Sequence, residues 1–160
     1  MIDELIRIFE ATVRFMEQSA DDLSEEEMVL QPAGVPNYAT WRIGHIIYSC
    51  QGIATEVGDE PWLPDDWEST FGYGSTPHLE QQKYPRKAQL LAALTDAKRR
   101  LCHTVQNLDA SVLRRQLPDE VFPTMSHLLL QVLAAHTAYQ AGQLAVRRRA
   151  MGKESVAVFV

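Results

Sequence analysis

From Ser126 to Arg149 the chain runs without a proline, and this stretch constrains the fold more than any other. Its apolar residues Leu129, Val132, Leu133, Leu144 and Ala145 recur three and four apart, with His136, Gln140 and Gln143 set among them. That spacing predicts one long amphipathic helix whose inward stripe turns polar in its middle. Buried imidazoles and amides are costly unless they are hydrogen-bonded. A neighbouring segment, a ligand or a metal ion must therefore meet this row.

The rest of the chain supplies helices for it to pack against. Ile2, Leu5, Ile6, Phe9, Val13 and Met16 share a face, which predicts a first helix over 2–20. Pro32 and Pro36 break the connection that follows, with a short turn expected at Ser24 to Met28. A second helix, capped by Asn37 or Thr40, is expected to end at Gly58. It places Trp41, His45, Tyr48 and Gly52 on one inward face.

From Gly58 to Tyr84 no periodicity persists, yet Trp62, Trp67, Phe71 and Tyr73 are expensive to leave in water. A folded loop laid over one end of the helices is expected, with Asp65, Asp66 and Glu68 at its rim. A third helix follows Pro85 and runs to Leu108, and Asp109 to Arg114 add a short turn. Thr124 or Ser126 starts the fourth helix and Gly152 stops it. With no strand pattern anywhere, the chain is expected to be all-α: an up-down four-helix bundle over 1–152, with a long ordered loop between the second and third helices and a C-terminal tail over 153–160. The tail's Val156 to Val160 is apolar and packs either on the body or on a second subunit.

A net charge of −6 sets the chain apart from proteins that grip nucleic acid through a basic surface. Arg147, Arg148 and Arg149 read as complements to the dipole of their own helix. No apolar run approaches the roughly 20 residues of a membrane span, and no signal segment is visible, so a cytoplasmic location is expected. Cys50 and Cys102, without C-x-x-C spacing, are expected to be buried free thiols.

Bundles place ligand and metal sites between facing helices. His45 on the second helix, with His136 and Gln140 on the fourth, are the candidates, and Trp41 and Tyr48 line the same pocket. An inward histidine is either a hydrogen-bonded core residue or a ligand, and His136 and Gln140 can also satisfy each other or bond to Tyr48, Tyr139 or water. Tyr139 faces away from the Gln140 row, toward a subunit contact. Gly142 is expected to permit close helix approach and Gln143 to tie down a neighbouring loop. No role falls to His78, His103 or His127.

Trp41-Arg-Ile-Gly-His45, Phe71-Gly-Tyr-Gly74 leading to Tyr84-Pro85, and His136-Thr-Ala-Tyr-Gln-Ala-Gly-Gln143 followed by Arg148-Arg-Ala-Met-Gly152 together resemble the DinB-like family. The resemblance implies a four-helix bundle, often a homodimer. It also implies a divalent metal such as zinc, nickel or manganese, held by one histidine of the second helix and an H-x-x-x-H pair of the fourth. Some relatives look like metal-dependent thiol transferases or isomerases that use low-molecular-weight thiols, so a metal-dependent transferase or hydrolase acting on small molecules through a thiol or water is the activity expected of this chain. His45 matches the first ligand and His136 the second, but Gln140 stands where the third imidazole belongs. A carboxamide oxygen is a weak donor to such ions, so a degenerate metal site and a metal-free small-molecule-binding or scaffold protein both follow as expectations. Asp66 or Glu68 is a conceivable replacement ligand.

Overall fold

The computed structural model describes residues 2–35, 37–77 and 80–156. His78 and the last four residues of the apolar tail, among the expectations above, lie outside them. The described chain is all-helical. Its long helices are α1 (Ile2–Asp21), α3 (Ala39–Glu56) and α5 (Lys87–Gln106), and its short ones α2 (Glu25–Val29), α4 (Trp67–Phe71) and α6 (Ala110–Leu113). The fourth long segment is composite, with α7 (Met125–Leu130) and α8 (Thr137–Ala150) joined by a π-helical turn over Gln131–His136. Among the described residues the one β feature is an isolated antiparallel bridge between Gln116 and Thr124.

α1 packs on α5 and α8, and α3 packs on the same two partners, so the four long segments enclose one core. Phe9, Val13, Met16, Ile43, Ile47, Leu94 and Leu133 fill it without solvent exposure. Each kind of inward position has the spacing expected of an amphipathic helix, and burying such side chains stabilises by roughly 1.5–3 kcal/mol each.

Two expectations about helix geometry change. Neither Asn37 nor Thr40 caps α3: Asn37 adopts a left-handed backbone (φ 64°), and Thr40 Oγ1 donates instead to the Met28 carbonyl at 3.2 Å. α3 begins from Tyr38, without a side-chain cap. The fourth helix is also not regular, because the turn that ends on His136 is widened to the π pitch. Thr137 Oγ1 donates to the Val132 carbonyl five residues back, at 2.7 Å. Such turns carry an extra residue and re-aim the side chains around them, often at functional sites.

The arginines at the end of α8 do more than complement its dipole. Arg147 donates to the Glu27 and Leu30 carbonyls at the end of α2, and Arg148 donates to the Ser19 carbonyl at 2.9 Å and to Asp22, near the end of α1. Both are buried and satisfy the terminal carbonyls of other helices, while Arg149 is exposed. The described part of the tail lies against the same region. Lys153 pairs with Glu27 at 3.2 Å, and Val156 packs on the core.

The segment between α3 and α5 folds over α3, with α4 and a 3₁₀ turn over Gln81–Lys83 inside it. Gln51 Oε1 accepts the backbone N–H groups of Trp62 and Leu63 at 2.7 and 2.6 Å. Trp67 Nε1 donates to the Gly44 carbonyl at 3.2 Å, and Trp41 Nε1 donates to Ser75 Oγ at 2.9 Å. Trp67 and Phe71 are buried and Trp62 is half-buried, but Tyr73 is 99% exposed and takes no part in the apolar cover. Gly44 explains the fit, since a Cβ there would overlap the Phe71 ring.

Candidate functional site

His45 and His136 meet between α3 and α8. Their Nε2 atoms stand 3.1 Å apart, and their rings are nearly perpendicular at 84°. Trp41, one turn before His45, stacks on its imidazole with centroids 4.7 Å apart and planes within 10°. The pairing expected of His45, His136 and Gln140 is therefore present, with Trp41 beside it. Tyr48 is half-buried on the same face of α3, and burial raises its pKa, with the neighbouring Glu68 carboxylate adding to this.

The hydrogen-bond partners assign the protons. His45 Nδ1 lies 2.7 Å from the Phe71 carbonyl, which can only accept, so Nδ1 carries a proton and Nε2 a lone pair in the neutral ring. Arg42 can only donate, and its Nη1 lies 2.7 Å from Gln140 Oε1. That bond fixes the amide, turning the Gln140 NH₂ toward His136 Nε2 at 3.2 Å. His136 Nε2 is then the acceptor, and its proton belongs on Nδ1. Its one lone pair is taken by the Gln140 NH₂, and the unprotonated His45 Nε2 stands 3.1 Å away.

Burial holds both rings neutral. It pushes the His45 pKa down, and the Arg42 charge adds to this against the raising effect of the Phe71 carbonyl. His136 is pushed down to about 4, by burial first and by His45 second. The pair is thus neutral at neutral pH, with the fixed charge of Arg42 nearby opposing a cation.

Arg42 is the functional residue that the periodicity of the chain left unremarked. It is 2% exposed, sits one turn before His45 inside the Trp41–His45 motif, and also donates to Gln143 Oε1 at 3.4 Å. Gln143 therefore meets Arg42, where a loop contact was expected. Gly142 does not mediate a close approach of helices, since the space beside its Cα is open. A polar row of amides on one helix with an arginine on the facing helix was the available signal.

A metal ion fits part of this donor set. Two imidazole nitrogens roughly 3 Å apart suit adjacent ligands of one ion at bond lengths of about 2.1 Å. The Phe71 carbonyl also orients His45 as outer partners of metal-bound histidines do. Gln140 turns its NH₂ toward the pair while its oxygen, the weak donor expected as third ligand, accepts from Arg42. Among the described residues, no third histidine, cysteine or carboxylate joins the two imidazoles. Neither Asp66 nor Glu68, the conceivable replacements, joins them in such a cluster. His103 and His127 are exposed, away from the pair. Both thiols are free. Burial raises Cys50 strongly and Cys102 to about 11, which leaves them poor nucleophiles.

A comparison with curated proteins finds no match. A crystal structure of a conserved protein from Enterococcus faecalis superposes with a TM-score of 0.75 over 96% of this chain and 98% of the other, at 16% identity, so the likeness is one of fold. The DinB superfamily pattern matches residues 8–144, which span α1 through most of α8 and include both imidazoles and the arginine between them in the site. The histidine of α3, the histidine of α8 and the helices that bring them together all fall within that match, and the chain belongs to the DinB superfamily.

Proposed function

We propose that His45 and His136 form a two-imidazole metal centre, reduced from the three-imidazole arrangement that the family resemblance implies and open to a small molecule. The observation that carries this reading is the pair of Nε2 atoms 3.1 Å apart, each ring with its proton assigned to the other nitrogen, so that a metal would take the His136 lone pair in place of the Gln140 NH₂. A divalent transition ion bound there would supply Lewis acidity, lowering the pKa of a coordinated water or thiol for transfer to, or hydrolysis of, a small substrate. The protein's own part is to hold and orient. The Phe71 carbonyl fixes the His45 tautomer, the Gln140 NH₂ stays available to an acceptor, and the Arg42 guanidinium favours negative charge developing beside it. His136 is only half-buried and marks the side from which a ligand approaches.

One observation favours a second reading, a metal-free binding or scaffold protein. Arg42 both occupies the Gln140 oxygen and opposes positive charge at His45. Zinc, nickel and manganese titrations of untagged protein separate the two readings. Binding that is lost in His45→Gln and His136→Gln supports the metal centre. Retention below about a tenth of an equivalent for every ion establishes the metal-free form.

The homodimer that the resemblance implies has a suitable face on α1 and α8. Ile8, Tyr139 and Val146 protrude there beside a shallow groove floored by Ala11, Ala141 and Gly142. Knobs and a groove on one surface are what a two-fold self-complementary interface requires.

A further inference from the structure

α1 and α8 pack side by side. Along the seam between them lie Ile8, Phe15 and Ser19 on α1 and Ala138, Ala145 and Arg148 on α8, at helical spacings that keep each set on one face. The seam is closed at one end. Arg148 donates to the Ser19 carbonyl at 2.9 Å and to the Glu154 carbonyl at 3.0 Å, so the chain beyond α8 turns back over this level, where Ser19 and Arg148 are both buried. From Phe15 and Ala145 to Ile8 and Ala138 the same seam is an open groove of about 520 Å³.

The chain thus arrives at the head of a groove that its described part leaves unfilled. Val156, the last described residue, packs on the core, and the sequence continues as Ala157-Val-Phe-Val160, without a polar side chain. Four extended residues reach about 14 Å, and the groove from Phe15 to Ile8 runs about 10 Å at the rise of a helix. Ser19 Oγ, buried at the head of the groove, has no partner among the described residues, and a main chain passing it can supply one. A segment tethered there meets the groove at a roughly millimolar effective concentration, ahead of a second copy in dilute solution.

We propose that Ala157 to Val160 dock in the groove between α1 and α8 of their own chain, with Phe159 as the anchor. The docked segment and a partner's side chains exclude each other from the groove. The docking uses neither histidine and stands whether or not the pair between α3 and α8 holds a metal.

Replacing Phe159 with photo-reactive p-benzoylphenylalanine in the whole chain tests it. After irradiation, mass spectrometry should place the cross-link within 7–15 or 138–145 of the same molecule, at the mass of a monomer. A cross-link between two chains, one to another part of the molecule, or none at all overturns the proposal. Thermal unfolding gives a second measure. Deleting 157–160 should lower Tm by about 5 °C through lost apolar burial. In Gly142→Leu, whose side chain enters the open space beside Gly142 and blocks the groove, the same deletion should leave Tm unchanged. An equal fall in both backgrounds, or a fall in neither, overturns the docking.

Discussion

His45 Nε2 and His136 Nε2 stand 3.1 Å apart, with the His45 proton on Nδ1 and the His136 lone pair accepting from Gln140. A cation at the pair must take that lone pair from the amide, so the fate of the contact depends on Arg42 and Gln140 beside it. Arg42 holds the amide oxygen, turns the NH₂ toward His136, and sets a positive charge against any cation at the pair.

Gln140→His should therefore tighten zinc binding, by returning a third imidazole to the side of α8 that faces His45. Arg42→Gln should also tighten it, on the order of tenfold, the lower end of what outer-shell partners contribute. Competition titration with a chromophoric zinc chelator measures both. Unchanged affinity in Gln140→His would mean that position 140 does not converge with the histidines.

Acid should destabilise the metal-free protein through the pair. His136 is held at about 4 in the folded state against 6.5 as its ordinary value, so the unfolded chain binds more protons between those limits. The stability contributed by the neutral ring is complete above about pH 6.5 and is lost as the pH falls toward 4. For a half-buried group this amounts to on the order of 2 kcal/mol. Urea denaturation across this range should show a flatter pH profile for His136→Gln than for the wild type.

Gly44→Ala should loosen the site from a distance. An added methyl overlaps the Phe71 ring, so α4 must shift, and with it the carbonyl that fixes the His45 tautomer. Overpacking of this kind costs about 1–3 kcal/mol. Loss of stability should be accompanied by weaker zinc binding, and a drop in stability alone would show that Phe71 does not orient His45.

Arg148→Met should destabilise the protein by about 3 kcal/mol, since it leaves the buried Ser19 carbonyl unpaired and removes a charged bond to Asp22. Chemical denaturation gives the number. A change below about 0.5 kcal/mol, the range of ordinary surface substitutions, would mean that water replaces the guanidinium at the end of α1.

If α1 and α8 carry a subunit contact, Ile8→Lys with Tyr139→Lys should shift the protein from dimer to monomer without lowering its helix content. Light scattering coupled to size-exclusion chromatography reports the mass. A wild type that runs as a monomer, or a dimer that survives the double substitution, removes this face from consideration.

Much of the architecture was legible because helical spacing is a local property. Ile2 through Met16 and Leu90 through Val105 each advertise one buried face, whereas α3 buries Ala39 to Ile47 on all sides and leaves Gly52, expected to face inward, exposed; Gly58 and Gly152 stop their helices with positive φ. The convergence of His45 and His136 followed from the same spacing. What stayed hidden was non-local. Arg147 and Arg148 look like a charge run on one helix, yet they serve the ends of two others. Asn37 and Thr40 look like caps, yet tertiary contacts and backbone conformation use them differently.

By itself the sequence determined the helices, their inward faces and the presence of two imidazoles and an amide on one seam. Periodicity encodes which side chains leave water, and burial follows from that. Only the tertiary structure decided what the seam can do, because a hydrogen bond's direction depends on its partner. Arg42 from the facing helix made Gln140 a donor toward His136, and the Phe71 carbonyl made His45 a lone-pair donor toward the same point.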